Sequence, residues 1–415
     1  IDLQAVVDSG SSQINLAEFG SSVVENQLRI PSLGGTVARG NNVLYVAHRT
    51  DRLVSVIELA NESQPTCGDP NATANLSTVN TRTDCDSDHL FEITGDAAET
   101  VSIDDSDDLT DIDVADPFSL QTAEADGAGT FLLTGQLSRP RLNALQVVDS
   151  SPFLEFGEGA GRSELLAVQG GRLNTLVRVP VPDTATEDYN YLAAAGIVLS
   201  GGAERAGIVH VDLDAYLTGE ERFNSSFTVG TFVGGREIAD LVFSPDGQRA
   251  FAATRVNVRT AGDSARGLVY RLDTTIEPIE FLNQQGEIEL QRRPRYATIA
   301  TTSLRGQPSG IIYLERDAAS DLIVVSDLDQ DTLFVLDAES AELPVIGRID
   351  IEGGPFSMAL TELNGRDYIV VTLFYNHALA LVDVGSDNST EFRVAHVLRN
   401  EDEGGTGIEP ADRAR

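Results

Sequence analysis

Gly354-Pro355-Phe356-Ser357-Met358 opens a cassette of two apolar strands and a turn, which closes on Leu379-Ala380-Leu381-Val382-Asp383. The same layout runs from Asp116-Pro117-Phe118-Ser119-Leu120 to Leu145-Gln146-Val147-Val148-Asp149, and weaker copies lie between the two. Such a repeat is typical of a propeller or another repeat array, because each copy is one supersecondary unit that needs its neighbours to bury its apolar face.

Paired apolar runs with period-2 alternation recur along the whole chain, whereas helical periodicity is hard to find. Gly, Pro, Asn and Asp bound most of these runs, as they do around strands. We predict an all-β fold, a seven-bladed β-propeller of four-stranded antiparallel blades, in which each pair is the middle hairpin of one blade. The seven pairs are 44–47 with 53–57, 131–133 with 144–148, 165–168 with 176–179, 196–199 with 207–211, 250–253 with 268–272, 322–325 with 333–336, and 368–371 with 378–382.

The remaining segments are assigned relative to this repeat. Residues 33–400 are predicted to form the propeller, with 61–88 as an insertion within it. Residues 1–32 are predicted to be an N-terminal segment, and either its stretch 23–31 or the stretch 392–397 supplies the strand that closes the ring. Residues 401–415 are rich in Gly, Glu and Asp and are predicted to be an acidic flexible tail.

The charge balance excludes some classes of partner. The formal net charge is −36, and all 29 basic residues are Arg. A field this negative disfavours nucleic acid and anionic lipid, and it suits cationic partners, divalent ions or simple solubility. No run of 18 apolar residues occurs, so the sequence predicts no transmembrane helix.

The two cysteines, Cys67 and Cys85, lie in a polar segment and are predicted to form a disulfide, with two free thiols as the alternative. The chain starts at Ile1, which indicates a removed leader or a boundary within a longer chain. Together these features predict an extracellular, cell-surface or periplasmic protein, which a removed or unseen N-terminus could attach peripherally or through a lipid. Glycosylation acceptor motifs, which mark surface loops, occur at Asn61, Asn71, Asn75, Asn224 and Asn388.

Three motifs carry a family resemblance. The stretch 242–252, with Ser244-Pro245-Asp246-Gly247 in it, resembles the S-P-D-G element of YVTN-type β-propellers. The strands 44–48 and 54–58 are similar to the Y-V-A-N and V-S-V-I-D of that repeat, and 353–359 is similar to its G-x-x-P-x-G-V-A. The resemblance covers most of 33–400. It implies the architecture and leaves the chemistry open, since the family includes lactonase-like enzymes and non-catalytic surface or periplasmic proteins.

A turn with three alternating carboxylates is the best candidate for a metal site. Asp327, Asp329 and Asp331 form a D-x-D-x-D pattern that could converge on Ca²⁺, which takes six to eight oxygen ligands. The Gly and the closing Glu of an EF-hand loop are absent, so an ordinary acidic hairpin turn is the alternative.

A second candidate group is predicted at the mouth of the channel. His48 and His377 lie in the turns of blades that become neighbours on ring closure, and Asp113 and Asp116 end an acidic run before a first strand. Imidazoles and carboxylates together could ligate a metal or act as a base. Unrelated surface histidines and a solvated acidic linker are the alternatives.

No catalytic residue is assigned from the sequence, because nucleophile elbows, H-E-x-x-H and haem-attachment motifs are absent. We therefore expect a protein-binding or structural module, with other proteins as partners and no cofactor other than Ca²⁺. A lactonase-like, metal-dependent hydrolase with a carboxylate site at the channel mouth is the first alternative. A non-catalytic propeller that binds a metal or a small ligand is the second.

Overall fold

The computed structural model describes most of the chain between residues 37 and 410. The described ranges are 37–40, 43–48, 53–58, 90–92, 117–125, 129–136, 141–147, 154–155, 161–165, 172–181, 190–200, 203–218, 226–231, 235–256, 266–282, 288–317, 319–363, 365–376, 378–399 and 408–410. Among these residues, no helix has the length and apolar character that crossing a membrane requires.

The first three sheets come from residues 37–231. The first contains β1 (Val37–Gly40), β2 (Val43–His48), β3 (Leu53–Glu58) and β4 (Leu90–Glu92). The second contains β5 (Pro117–Ala125), β6 (Gly129–Gln136), β7 (Arg141–Val147), β8 (Leu154–Glu155) and β9 (Gly161–Leu165). The third contains β10 (Arg172–Arg178), β11 (Tyr191–Ser200), β12 (Ala203–Asp212) and β13 (Ser226–Thr231), with the short helix α1 (Leu213–Thr218) after β12.

Three further sheets and one separate hairpin complete the described fold. The fourth sheet contains β14 (Glu237–Phe243), β15 (Arg249–Val256), β16 (Arg266–Asp273) and β19 (Ala297–Arg305), and the hairpin of β17 (Ile276–Leu282) and β18 (Ile288–Pro294) is inserted before β19. The fifth contains β20 (Pro308–Leu314), β21 (Leu322–Asp327), β22 (Thr332–Asp337) and β23 (Val345–Asp350). The sixth contains β24 (Pro355–Leu363), β25 (Arg366–Leu373), β26 (Ala378–Asp383), β27 (Arg393–Arg399) and β28 (Ile408–Pro410).

The sheets are arranged as the blades of a β-propeller. Within each sheet, strands that are hydrogen-bonded neighbours are antiparallel. The first strands of the second to sixth sheets contact one another in chain order, β5 with β10, β10 with β14, β14 with β20 and β20 with β24. This order places the first strands innermost and turns each sheet face to face with the next.

The predicted count of seven blades is corrected by this topology, since the described residues form six sheets of four or five strands. Six of the seven predicted strand pairs are the middle hairpins of these sheets. The pair 165–168 with 176–179 is not a hairpin, because β9 ends the second sheet at Leu165 and β10 starts the third at Arg172. The connection between these two blades contains Gly170-Gly171 between two apolar runs. Its sequence pattern is the same as that of a turn within one blade, which explains why the blade count was wrong.

The predicted end segments have different outcomes. The segment 1–32 lies outside the described residues, and so does the whole of the insertion 61–88 with both cysteines. In the predicted tail 401–415, β28 pairs with β27, so part of this segment extends the sixth sheet by one strand. The candidate closing stretch 392–397 largely coincides with β27, the fourth strand of that sheet.

Strand β21 contributes to two hydrophobic clusters because its side chains alternate between the two faces of the sheet. In β21, Leu322 and Val324 pack in the cluster between the fifth and sixth sheets, whereas Ile323 and Val325 pack in the cluster between the fourth and fifth. All six residues of β21 are buried. This explains why the middle strands are continuous apolar runs, as expected for sheets that are covered on both faces.

Replacing Ile323 by alanine should lower the free energy of unfolding by about 2–5 kcal/mol, because the cavity would lie between two packed sheets. The matched change Ile299→Ala, at a side chain that is 50% exposed, should cost about 1 kcal/mol or less. Urea unfolding followed by circular dichroism measures both. Equal losses in the two variants would contradict face-to-face packing of the fourth and fifth sheets.

Candidate functional site

The first strands of five successive sheets share an irregularity near their start. Each antiparallel pairing of β5, β10, β14, β20 and β24 with the next strand shifts register there, as in a β-bulge. A bulge leaves extra backbone unpaired and redirects the neighbouring side chains. The shifts lie at Pro117/Ser119, Leu173/Thr175, Ile238/Asp240, Pro308/Gly310 and Pro355/Met358. Because the second strands end beside these positions, one end of the inner strands collects polar groups, and we call it the loop end.

Two buried serines connect the fifth sheet to the sixth at the loop end. The Ser309 hydroxyl donates to the Pro355 carbonyl oxygen at 2.9 Å, and the Ser326 hydroxyl donates to the Phe356 carbonyl oxygen at 2.8 Å. The Ser326 hydroxyl also accepts a hydrogen bond from the Gly310 amide at 2.8 Å. These bonds supply partners for backbone groups that the bulges remove from the ladder.

Asp240 connects three sheets through one carboxylate. Its Oδ2 accepts from the Ile311 amide of the fifth sheet at 3.0 Å, and its Oδ1 accepts from the Leu241 amide at 2.9 Å. The Thr175 hydroxyl of the third sheet is a further hydrogen-bond partner. Loss of water around the carboxylate raises the pKa of Asp240 to about 6, although all three hydrogen bonds act to lower it.

Neighbouring polar side chains continue this connection. The Asn174 amide nitrogen donates to the Ile238 carbonyl oxygen at 2.6 Å and to Glu237 Oε1 at 2.7 Å. Arg255 lies 3.9 Å from Glu237, and its Nε donates to the Pro308 carbonyl oxygen at 3.1 Å. At the loop end, side-chain hydrogen bonds therefore link the third sheet to the fourth, the fourth to the fifth and the fifth to the sixth.

Asp327 is fully buried, and only one of its carboxylate oxygens has a hydrogen-bond partner in the described structure. Oδ1 accepts from the backbone amides of Gln307, Asp329 and Gln330, each at 3.1 Å, whereas Oδ2 accepts no hydrogen bond. Gly306, at φ +120°, packs against the carboxylate, where a Cβ atom would lie 2.3 Å from Oδ1. Burial raises the pKa of Asp327 to about 6, and the nearby charge of Asp329 acts in the same direction.

The three aspartates of the predicted calcium site have different surroundings. Asp331 adopts φ +49°, and its Oδ1 accepts from the Gly353 and Gly354 amides at 3.1 and 2.8 Å, which joins the turn to the start of the sixth sheet. Asp329 is exposed. Within the part of the chain that the structure describes, no group of three His, Cys, Asp or Glu side chains is placed to hold a metal ion. The calcium site therefore stays a prediction.

Of the other predicted site residues, the structure describes only His48 and Asn388. His48 is the last residue of β2. Asn388 is exposed between β26 and β27, and its Oδ1 accepts from the amide and the hydroxyl of Thr390 in its own acceptor motif. The residues His377, Asp113, Asp116, Cys67, Cys85, Asn61, Asn71, Asn75 and Asn224 lie outside the described residues.

Little in the sequence pointed to Asp240, Asn174, Ser309 and Ser326 as site residues. Pro308-Ser309-Gly310 was recognisable as the turn before a first strand, but the sequence does not show that its serine bonds Pro355 of the next sheet as well as Ser326 of its own. The one available signal was a polar residue inside an otherwise apolar run, as Asp240 is between Ile238 and Leu241. Such residues are usually hydrogen-bonded when they are buried, but their partners cannot be read from the sequence.

Comparisons with known proteins give structural likenesses of low sequence identity. No family model matches the chain, and no curated protein matches it. Hydrazine synthase of Kuenenia stuttgartiensis is 13% identical, with 84% of this chain and 83% of that chain covered and a TM-score of 0.47. A periplasmic gluconolactonase of Pseudomonas aeruginosa is 16% identical, with 87% and 84% covered and a TM-score of 0.46. A dihydro-heme d1 dehydrogenase is 14% identical, with 88% and 56% covered and a TM-score of 0.44.

The raised pKa of Asp327 predicts a specific dependence of stability on pH. The folded protein holds this proton up to about pH 6, whereas the unfolded chain releases it near its ordinary pKa of 3.8. The contribution of Asp327 to stability is therefore complete below about pH 4 and is lost as the pH rises through 6. The variant Asp327→Asn keeps the Oδ1 acceptor, so its stability relative to wild type should rise by up to about 3 kcal/mol between pH 4 and 7.

Urea unfolding at several pH values measures this difference. Asp350→Asn, at an exposed carboxylate, is the matched control and should run parallel to wild type. A difference between Asp327→Asn and wild type that stays constant from pH 4 to 7 would show that Asp327 has an ordinary pKa.

Proposed function

We propose that this β-propeller is an extracytoplasmic protein-binding or structural module, in a surface or periplasmic assembly. The observation that carries the proposal is the use of the polar groups at the loop end. Asp240, Ser309 and Ser326 are bonded to backbone groups of adjacent sheets. Such bonds favour a rigid platform whose outer loops and faces make the contacts.

The charge of the chain indicates the chemistry of the partner. At a net charge of −36, association with a cationic protein surface is accelerated by electrostatic attraction, and nucleic acid is repelled. The location outside the cytoplasm rests on the predicted Cys67–Cys85 disulfide and on the resemblance to YVTN-type propellers, to which we propose that the chain is related.

Fractionation of the native host tests location and binding together. We expect the protein in the surface or periplasmic fraction, within a complex of fixed stoichiometry whose native mass exceeds the 44.4 kDa of the chain. Raising the salt concentration should weaken the complex, because attraction between exposed charges is screened. A lone monomer in that fraction, or a protein confined to the cytoplasm, would overturn the proposal.

A lactonase-like, metal-dependent hydrolase is a second candidate, and one observation favours it. Asp240 and Asp327 both lie at the loop end with pKa values raised to about 6, and Asp327 Oδ2 is buried without a hydrogen-bond partner in the described structure. Perturbed carboxylates are frequent at catalytic sites, although structural networks produce them too. In this function Asp327 would face a bound divalent metal that polarises the lactone carbonyl.

Metal analysis and a lactone assay separate the two functions. The enzyme hypothesis expects a stoichiometric metal by inductively coupled plasma mass spectrometry, and lactone hydrolysis that Asp327→Asn lowers at least tenfold while the control Asp350→Asn does not. The module hypothesis expects no turnover with added Ca²⁺, Mg²⁺ or Zn²⁺. Hydrolysis that is equal in wild type and Asp327→Asn would exclude Asp327 from the reaction.

A further inference from the structure

A cavity of about 520 Å³ opens at the end of the inner strands opposite to the loop end. It lies between the fourth, fifth and sixth sheets, where β14, β20 and β24 end and β25 begins. A volume of this size is within the range of small-molecule sites, about 300–1,000 Å³. None of the residues discussed for the proposed function lines it.

The walls of this cavity are apolar and partly fixed. Phe243 and Tyr313 are buried side chains of the fourth and fifth sheets, and Leu360 of the sixth sheet is 45% exposed. The Tyr313 hydroxyl donates to Asp321 at 2.5 Å and accepts from Arg249 at 3.2 Å, which holds the side chain in place. An apolar group that covers Leu360 would remove exposed hydrophobic surface from water, which is favourable.

Three carboxylates also line the cavity, Glu315 from the fifth sheet and Glu362 and Asp367 from the sixth. Glu362 and Asp367 are directly opposite each other in the β24–β25 register. Like charges at opposed positions destabilise an antiparallel pair. A cation bound between them would relieve this repulsion.

Among the described residues no basic side chain lines the cavity, and the described arginines nearby are engaged elsewhere. Arg249 pairs with Glu339 at 2.7 Å and Arg366 with Asp383 at 2.8 Å. Arg316 donates to the Asp387 carbonyl oxygen and lies 3.8 Å from its carboxylate. In the described structure no ion pair involves Glu315, Glu362 or Asp367, so no described arginine neutralises the negative charge of the cavity.

We propose that this cavity binds a small organic cation, a protonated amine with an apolar body. The ammonium group lies between the carboxylates of Glu362 and Asp367, with Glu315 across the opening, and the body packs on Leu360, Phe243 and Tyr313. The combination of apolar walls with carboxylates on one rim selects this class over a bare metal ion, which gains nothing from the apolar walls. It also selects against neutral ligands, which leave the carboxylates unpaired.

Titration with 4-phenylbutylammonium tests the proposal, with the neutral 4-phenylbutanol as the matched probe, by isothermal calorimetry at 0.15 M NaCl. Wild type should bind one equivalent of the amine at least tenfold more tightly than the alcohol. Glu362→Gln/Asp367→Asn should weaken amine binding at least tenfold and leave alcohol binding unchanged. Leu360→Ser should weaken both probes by a similar factor of about three or more.

The control for the general acidity of the chain is Asp350→Asn/Glu352→Gln, which changes the net charge equally at exposed residues away from the cavity. This variant should bind both probes as wild type does. Equal weakening in the two double variants would assign binding to the overall field, and no saturable amine binding by wild type would remove the site. None of the loop-end residues lines the cavity. The result of this titration therefore does not decide whether the protein binds a partner, which the fractionation experiment tests.

Discussion

Face-to-face burial of the sheets is the constraint on which this structure depends. The alternation along β21, with Leu322 and Val324 on one side and Ile323 and Val325 on the other, requires a neighbouring sheet on each face. β15 shows the same division, since Ala250 and Ala252 pack towards the third sheet and Phe251 and Ala253 towards the fifth. A single sheet would expose one of these apolar sets to water, so the unit of stability is the interface between sheets rather than the sheet.

This packing explains why polar groups concentrate at the loop end. The inner strands bulge at their starts, and the side chains there find partners on the next sheet because the sheets are already held together. Asn174, Asp240 and Ser309 each contact backbone of the following sheet. The cost of burying these groups is offset by hydrogen bonds that also fix the relative position of the sheets.

Two groups of acidic residues differ in their access to water and in their physical roles. Asp240 and Asp327 have lost water and hold their protons more tightly than an exposed carboxyl group. Glu315, Glu362 and Asp367 remain exposed around an apolar cavity and keep ordinary access to solvent. The first kind contributes to the frame of the propeller, and the second makes one local surface attractive to cations.

The sequence by itself determined the all-β class and the six middle hairpins, because strand alternation and turn residues are local signals that neighbours in the chain reveal. It did not determine the blade count. Whether a short connection joins strands of one sheet or of two, as between Leu165 and Arg172, depends on which strands pair. Only the tertiary structure decided the site residues, since Asp240 and Ile311 meet across separate sheets. The burial that raises the pKa of Asp327 likewise arises from packing between segments, which residue identity does not encode locally.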